Sequence, residues 1–333
     1  MRKVFLMVAA AAAMLIATGF TACKPNSTPK EIDIYVSGSE RNGTKVVAKV
    51  WKNGKELYDL TDGSKYAYVS SVFVVGDDVY TAGSEYNGTN FVAKVWKNDK
   101  ELYKLTDGSK NAYANSLFVA DDKVYTAGYE GKVAKLWKNK SATDLTDGSN
   151  DATASSIFVA GSNVYTVGHE SNGTKYVIKV WKKGSEHLVL TNGSNDARAR
   201  SVFVVGDDVY TAGCESNGTK DVAKVWKNKS ATDLTDGSKS AIARSVYVVG
   251  DDVYVAGGEG GVTKVWKNGE ELYELANNGE AYSIVVYNGD VYVAGGERKG
   301  SILIAKVWKN GKELYSLSDN NSNALSIFIA ERE

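Results

Sequence analysis

Residues 71–105 read SVFVVGDDVYTAGSEYNGTNFVAKVWKNDKELYKL. Four runs in this stretch are rich in β-branched and aromatic residues: Ser71 to Val75, Val79 to Gly83, Val92 to Lys97 and Glu101 to Leu105. Such residues suit a pleated, half-buried surface. Gly76-Asp77 and Asn87-Gly88 separate the first three runs, and these are residues that accept the positive φ of tight hairpins. No segment carries an amphipathic helical period. The stretch is a unit of four strands, named a to d in chain order.

The same unit recurs outward in both directions. All seven tryptophans lie in a Lys-(Val/Leu)-Trp-Lys phrase, at Trp51, Trp96, Trp137, Trp181, Trp226, Trp266 and Trp308. Their spacings are 45, 41, 44, 45, 40 and 42 residues. A period in this range with four strands per unit predicts an all-β fold, a seven-bladed β-propeller with four antiparallel strands per blade. From the strand-b glycine to the strand-c lysine the separation is 11 in five units, as from Gly83 to Lys94. It is 7 in two, Gly128 to Lys135 and Gly257 to Lys264. The difference is even, so the shorter hairpins keep every side chain on its face. Ile32 to Gly38 has the phase of a strand b and Ser326 to Ala330 that of a strand a. The first blade should therefore take its strand a from the far end of the chain, closing the ring and removing an open edge. An open solenoid would need capping repeats.

Comparison between units separates shared residues from variable ones. A tyrosine (Tyr35, Tyr80, Tyr125 and so on), a glutamate (Glu40, Glu85, Glu130, Glu170, Glu215, Glu259, Glu297) and a lysine (Lys49, Lys94, Lys135, Lys179, Lys224, Lys264, Lys306) recur in every unit. Residues present in every blade serve what every blade shares, packing and ion pairing. Asp-Gly-Ser at Asp62, Asp107, Asp147 and Asp236 is turn chemistry rather than a calcium site, which needs several convergent oxygens. Asn-Gly-Thr at Asn42, Asn87, Asn172 and Asn217 matches a glycosylation sequon and reads as a turn.

Composition excludes several classes of function. The chain has 333 residues, 43% of them hydrophobic, with 40 Lys plus Arg against 40 Asp plus Glu. Removing residues 1–22 takes away Arg2 and Lys3 and leaves 38 against 40. That balance offers no footprint for nucleic acid. Two cysteines and two histidines make a zinc or transition-metal site improbable, and no cofactor is expected. A monomer is expected.

Residues 1–22 read as a secretory signal. Arg2 and Lys3 form the positive start, Val4 to Phe20 an apolar or small-residue run, and Thr21-Ala22 leads into Cys23. This resembles the lipobox of bacterial lipoproteins, with Phe20 where that pattern usually has Leu, and implies acylation of Cys23. An ordinary cleaved signal and a spanning helix are the alternatives. Lys24 to Lys30 contains both prolines of the chain and reads as an extended spacer. The expected organisation is signal peptide 1–22, lipid-anchored tether 23–30 and propeller 31–333.

The units diverge where the d–a connections and b–c hairpins meet at one end of the ring. One and three residues ahead of the strand-a serine stand Tyr68, Tyr113, Arg198, Arg200, Arg244, Glu280 and Tyr282. With strand a innermost, these would surround the mouth of the central channel. Arg198, Arg200 and Arg244 make up half of the six arginines beyond residue 22, and arginine suits bidentate recognition of carboxylate or phosphate. They form a candidate anion patch flanked by tyrosines, or else variable loop positions without a ligand. His169 and Cys214 occupy equivalent places in successive units, too far apart for a nucleophile pair.

The phrases Lys-Val-Trp-Lys-Asn, Leu-Thr-Asp-Gly and Val-Tyr-x-Ala-Gly, together with the leader, resemble a group of bacterial repeat-type β-propeller lipoproteins. The resemblance covers the whole chain. It implies the fold and an envelope location, at the outer membrane or cell surface, and brings no activity. The signatures of WD40, kelch and sialidase-like propellers are missing. Three functions remain open: a non-enzymatic binding scaffold for an envelope protein or acidic glycan, an enzyme acting on polysaccharide, and a structural spacer. The enzyme would need two facing carboxylates, for which Glu280 with Asp196 or Asp151 is the nominated pairing.

Overall fold

The computed structural model describes residues 30–332. The signal peptide, Cys23 and the tether up to residue 29 lie outside the described residues. Every regular element among them is a strand, and the strands form seven four-stranded antiparallel sheets. Six sheets use consecutive strands. In the first, Ser322–Glu331 pairs antiparallel with Ile32–Asn42, so the far end of the chain supplies strand a as the phase of the ends predicts. The protein is a seven-bladed β-propeller.

Strand a is innermost, and successive a strands touch around a closed circle. In the second to seventh blades they are Ala67–Val75, Ala112–Ala120, Ala152–Ala160, Ala197–Val205, Ala241–Val249 and Gly279–Tyr287. Each contains a serine whose Oγ accepts the backbone N–H of the next blade's a strand. The bonds run Ser326 to Val72, Ser71 to Leu117, Ser116 to Ile157, Ser156 to Val202, Ser201 to Val246, Ser245 to Ile284 and Ser283 to Ile327, at 3.1–3.3 Å. These seven bonds form an unbroken hoop around the axis. One step toward the a–b turns, Phe328, Phe73, Phe118, Phe158, Phe203 and Tyr247 touch in series at centroid separations of 4.7–5.4 Å. Val285 holds the seventh place. This iris of rings constricts the axis, where the sequence suggested only one more apolar strand position.

Seven hydrophobic clusters lie between neighbouring blades, each with one buried tryptophan. The interface that closes the ring, with Trp51, Tyr292 and Leu317, is built like the others. At the end carrying the a–b and c–d turns, the lysine after each tryptophan lies over the strand-b tyrosine ring, at 5.0–5.8 Å in all seven blades. The asparagine of Lys-Val-Trp-Lys-Asn adopts positive φ, as at Asn98 (φ 57°). Its Oδ1 accepts a strand-b N–H, at 2.9 Å for Val79.

The recurring lysine of strand c is paired within its own blade. In six blades it reaches the strand-b glutamate, from 2.5 Å for Lys94–Glu85 to 3.4 Å for Lys306–Glu297. Lys49 instead reaches Glu56 and Asp59 on strand d. The Leu-Thr-Asp-Gly phrase is equally committed to folding. Leu105 is buried and its N–H bonds Ala93, Thr106 Oγ1 accepts the N–H of Ala93, and Asp107 accepts the N–H of Ser109 at 2.8 Å. The sequon amides are also occupied: Nδ2 of Asn87, Asn172 and Asn217 donates to Gly108, Gly193 and Gly237.

Candidate functional site

The variable residues lie inside strand a, not in the connection before it. Each a strand begins about four residues earlier than its apolar run and carries a bulge just ahead of its serine. The bulged residues are Ser70, Asn115, Ser155, Arg200, Arg244, Tyr282 and Leu325, which are left without a cross-strand partner. Two positions nearer the loop end stand Tyr68, Tyr113, Thr153, Arg198, Ile242, Glu280 and Asn323. The three arginines therefore occupy two rings: Arg200 and Arg244 the bulge ring, Arg198 the outer one.

The bulge explains the invariant glycine of strand b. A Cβ on Gly38, Gly83, Gly128, Gly168, Gly213, Gly257 or Gly295 would stand 1.9–2.2 Å from the carbonyl oxygen of the outer-ring residue opposite. No side chain fits there, whatever its φ.

Two bulge side chains, Arg244 and Asn115, reach the next blade. Arg244 forms an ion pair with Glu280 at 2.5 Å and lies over the Tyr282 ring at 5.0 Å. Asn115 Nδ2 donates to the Ala154 carbonyl at 2.9 Å. Arg198 stacks on Tyr176 at 5.2 Å, and Tyr176 meets His169 edge-on at 5.1 Å. Arg200 is exposed. Neither Arg198 nor Arg200 has a carboxylate within 4.0 Å among the described residues. Arg200 reaches solvent with protein atoms crowded around it. Crowding by the protein and then the charges of Arg244 and Arg198 lower its pKa from the usual arginine value.

Tyr68 and Tyr113 are brought together by a residue the sequence reading did not single out. Phe91, at the head of strand c in the second blade, contacts Tyr68 at 5.8 Å, Tyr86 at 5.3 Å and Tyr113 at 5.1 Å. Tyr113 in turn stacks on Tyr129 at 5.2 Å and 24°. All five rings are half-buried. None of the four phenol oxygens makes a hydrogen bond within the described chain. Burial, with Tyr129 and Tyr68 adding, raises the Tyr113 phenol to about 12. The signal was present as aromatics at Tyr86 and Phe91 on one hairpin, but the contact to Tyr113 crosses between blades.

His169 is 8% exposed with an unpartnered Nδ1. Burial, then Arg200 and Arg198, hold its pKa down to about 4. Cys214 is 3% exposed, and burial pushes its thiol up to about 11. No hydrogen bond joins the two. The nominated carboxylates have local partners: Glu280 has Arg244, Asp196 accepts the Tyr176 N–H and lies 3.5 Å from Lys175, and Asp151 lies 3.8 Å from Lys132. No group of three or more His, Cys, Asp and Glu side chains converges among the described residues.

No protein-family model and no curated protein matches the chain. Solved structures do. The Dos1 propeller is 13% identical over 89% of this chain and 86% of that one, with a TM-score of 0.50. The likeness is one of fold. A putative TolB from Agrobacterium tumefaciens is 10% identical over 72% of this chain and 94% of that one (TM-score 0.45). A chain of a nidogen/laminin complex is 11% identical over 90% and 98% (TM-score 0.46).

Proposed function

We propose that this protein is a non-enzymatic binding scaffold of the bacterial cell envelope, anchored through acylated Cys23 and engaging an envelope protein or acidic glycan with the loop end of its ring. The observation that carries the reading is where the sevenfold repetition breaks. The turn end repeats the same lysine–tyrosine contact in every blade. The loop end instead varies from blade to blade, with five kinds of residue in the bulge ring and six in the outer one, and with arginines and aromatics concentrated in some blades. A scaffold needs the first kind of residue for its ring, and a binding face needs the second. The run from Arg2 to Cys23 supports delivery to the envelope and an acyl anchor. Binding is favoured over catalysis because Glu280, Asp196 and Asp151 each sit beside a cation of their own.

The test is a cross-linked capture from intact envelopes. The lipidated protein is compared with a variant carrying Arg198→Ala, Arg200→Ala and Arg244→Ala. A component captured by the first and lost from the second supports the reading. Equal capture by both, or none by either, removes the arginine face from it.

A further inference from the structure

We infer that the loop-end mouth is a binding site for a saccharide bearing a carboxylate on its sugar ring. The sugar face would lie on the Tyr68–Phe91–Tyr113–Tyr129 cluster and the carboxylate on Arg200. This rests on the loop-end binding reading and names its ligand class.

Three observations converge on it. The first is the aromatic cluster. Its rings meet one another tilted at 34–53° around Phe91, and the one stacked pair, Tyr113 on Tyr129, is already closed at 5.2 Å. That geometry offers ring faces to lie upon and no slot for a planar base. Sugar rings present C–H faces to such a platform and hydroxyls to the free phenols around it.

The second is the order of groups around the bulge ring. From the second blade to the fifth it runs Ser70, Asn115, Ser155, Arg200. The hydroxyls of Ser70 and Ser155 make no hydrogen bond within the described chain, and Asn115 uses only its Nδ2. A polyhydroxylated ligand can be met by these groups in turn between the aromatic platform and the guanidinium. Beneath them the aromatic iris narrows the axis.

The third is charge. Three arginines stand at the mouth and Glu280 answers one of them. Arg200 retains its full fork of donors, with no acid within 4.0 Å among the described residues. An anionic ligand meets this excess, and a carboxylate matches the guanidinium bidentately.

The experiment is calorimetric titration of the full chain with a panel of uronate oligosaccharides (glucuronate, galacturonate, mannuronate and guluronate types), their neutral counterparts and a nucleoside monophosphate. The variants are Arg200→Gln and Tyr113→Ala, each checked for an unchanged unfolding transition. At least one uronate should bind. Arg200→Gln should weaken the acidic sugar 10-fold or more and bring it level with the neutral one. Tyr113→Ala should weaken both. No uronate binding by the wild type overturns the inference, as does equal affinity for neutral and acidic sugars, preference for the nucleotide, or binding by both variants as strong as by the wild type. A protein captured from envelopes through the arginine face, with no uronate binding, would leave the scaffold reading standing and this one fallen.

Discussion

Ser326 Oγ accepts the backbone N–H of Val72 at 3.2 Å, across 254 positions of sequence. This bond joins the last a strand to the second blade and completes the hoop of seven. A neutral hydrogen bond of this kind contributes about 1 kcal/mol net, and a buried N–H left without a partner costs about 1–3 kcal/mol. Ser326→Ala should therefore lower unfolding stability by about 1–3 kcal/mol in denaturant titration. Ser71→Ala, which breaks an internal link of the same hoop, should cost a similar amount. A far larger effect at Ser326 would mean that closure, not the bond itself, is what the serine secures.

Two glycines test the bulge. Gly128→Ala drives a Cβ to 1.9 Å from the Tyr113 carbonyl oxygen, and the backbone of two strands must move. Overpacking of this kind costs about 1–3 kcal/mol or more. Gly76 has φ 56° with nothing within 4 Å of an added Cβ, so Gly76→Ala should cost about 1 kcal/mol from backbone conformation alone. Thermal unfolding of the two variants should rank them in that order. The Gly128 variant should also weaken any loop-end ligand, since Tyr113 shifts with its carbonyl.

His169 gives the fold a pH dependence of definite sign. Buried beside Arg198 and Arg200, it holds a pKa of about 4 in the folded state against 6.5 for the ordinary side chain. Between those values the unfolded chain binds a proton that the folded one refuses. Stability from this group is complete above pH 6.5 and falls as pH drops toward 4, by about 3 kcal/mol in all. Denaturant midpoints measured from pH 7 to 4 should decline more steeply for the wild type than for His169→Phe. Parallel curves would show that other groups set the slope.

Cys23→Ser tests the anchor. The wild type should sediment with membranes and take up labelled fatty acid, and the variant should do neither while keeping the same far-ultraviolet circular dichroism. Membrane association of the variant would point to a spanning helix or to a protein partner instead.

Blade number, strand order and ring closure were legible in the sequence because they rest on period and parity. Forty-odd residues between tryptophans and an even hairpin difference survive any rearrangement of side chains. The bulge was not legible: Ala67-Tyr68-Val69-Ser70-Ser71 has no break in composition, and only the strand pairing reveals that Ser70 is extra. The candidate site was half legible for the same reason. Position marked out Tyr68, Tyr113 and the arginines. The pairing of Arg244 with Glu280, and the meeting of Phe91 with Tyr113, are contacts between blades, which no pattern within a single repeat encodes. The iris shows the limit most plainly. Phe73 and its counterparts recur as one letter of a strand, and only the ring geometry shows that they touch in series around the axis.

Every bond of the serine hoop points the same way around, from the N–H of one blade to the hydroxyl of the blade before it. Each blade thus presents one surface forward and a different one behind, as subunits do in a head-to-tail cyclic oligomer. Such a circle has no intrinsic first member. The described ends already adjoin, with Arg332 pairing Glu31 and Asp33 at 2.5 and 2.7 Å. A short linker between them, and a cut at any d–a connection, should give a permuted chain that closes the same circle, so the order of blades along the gene is a historical fact and not a mechanical requirement.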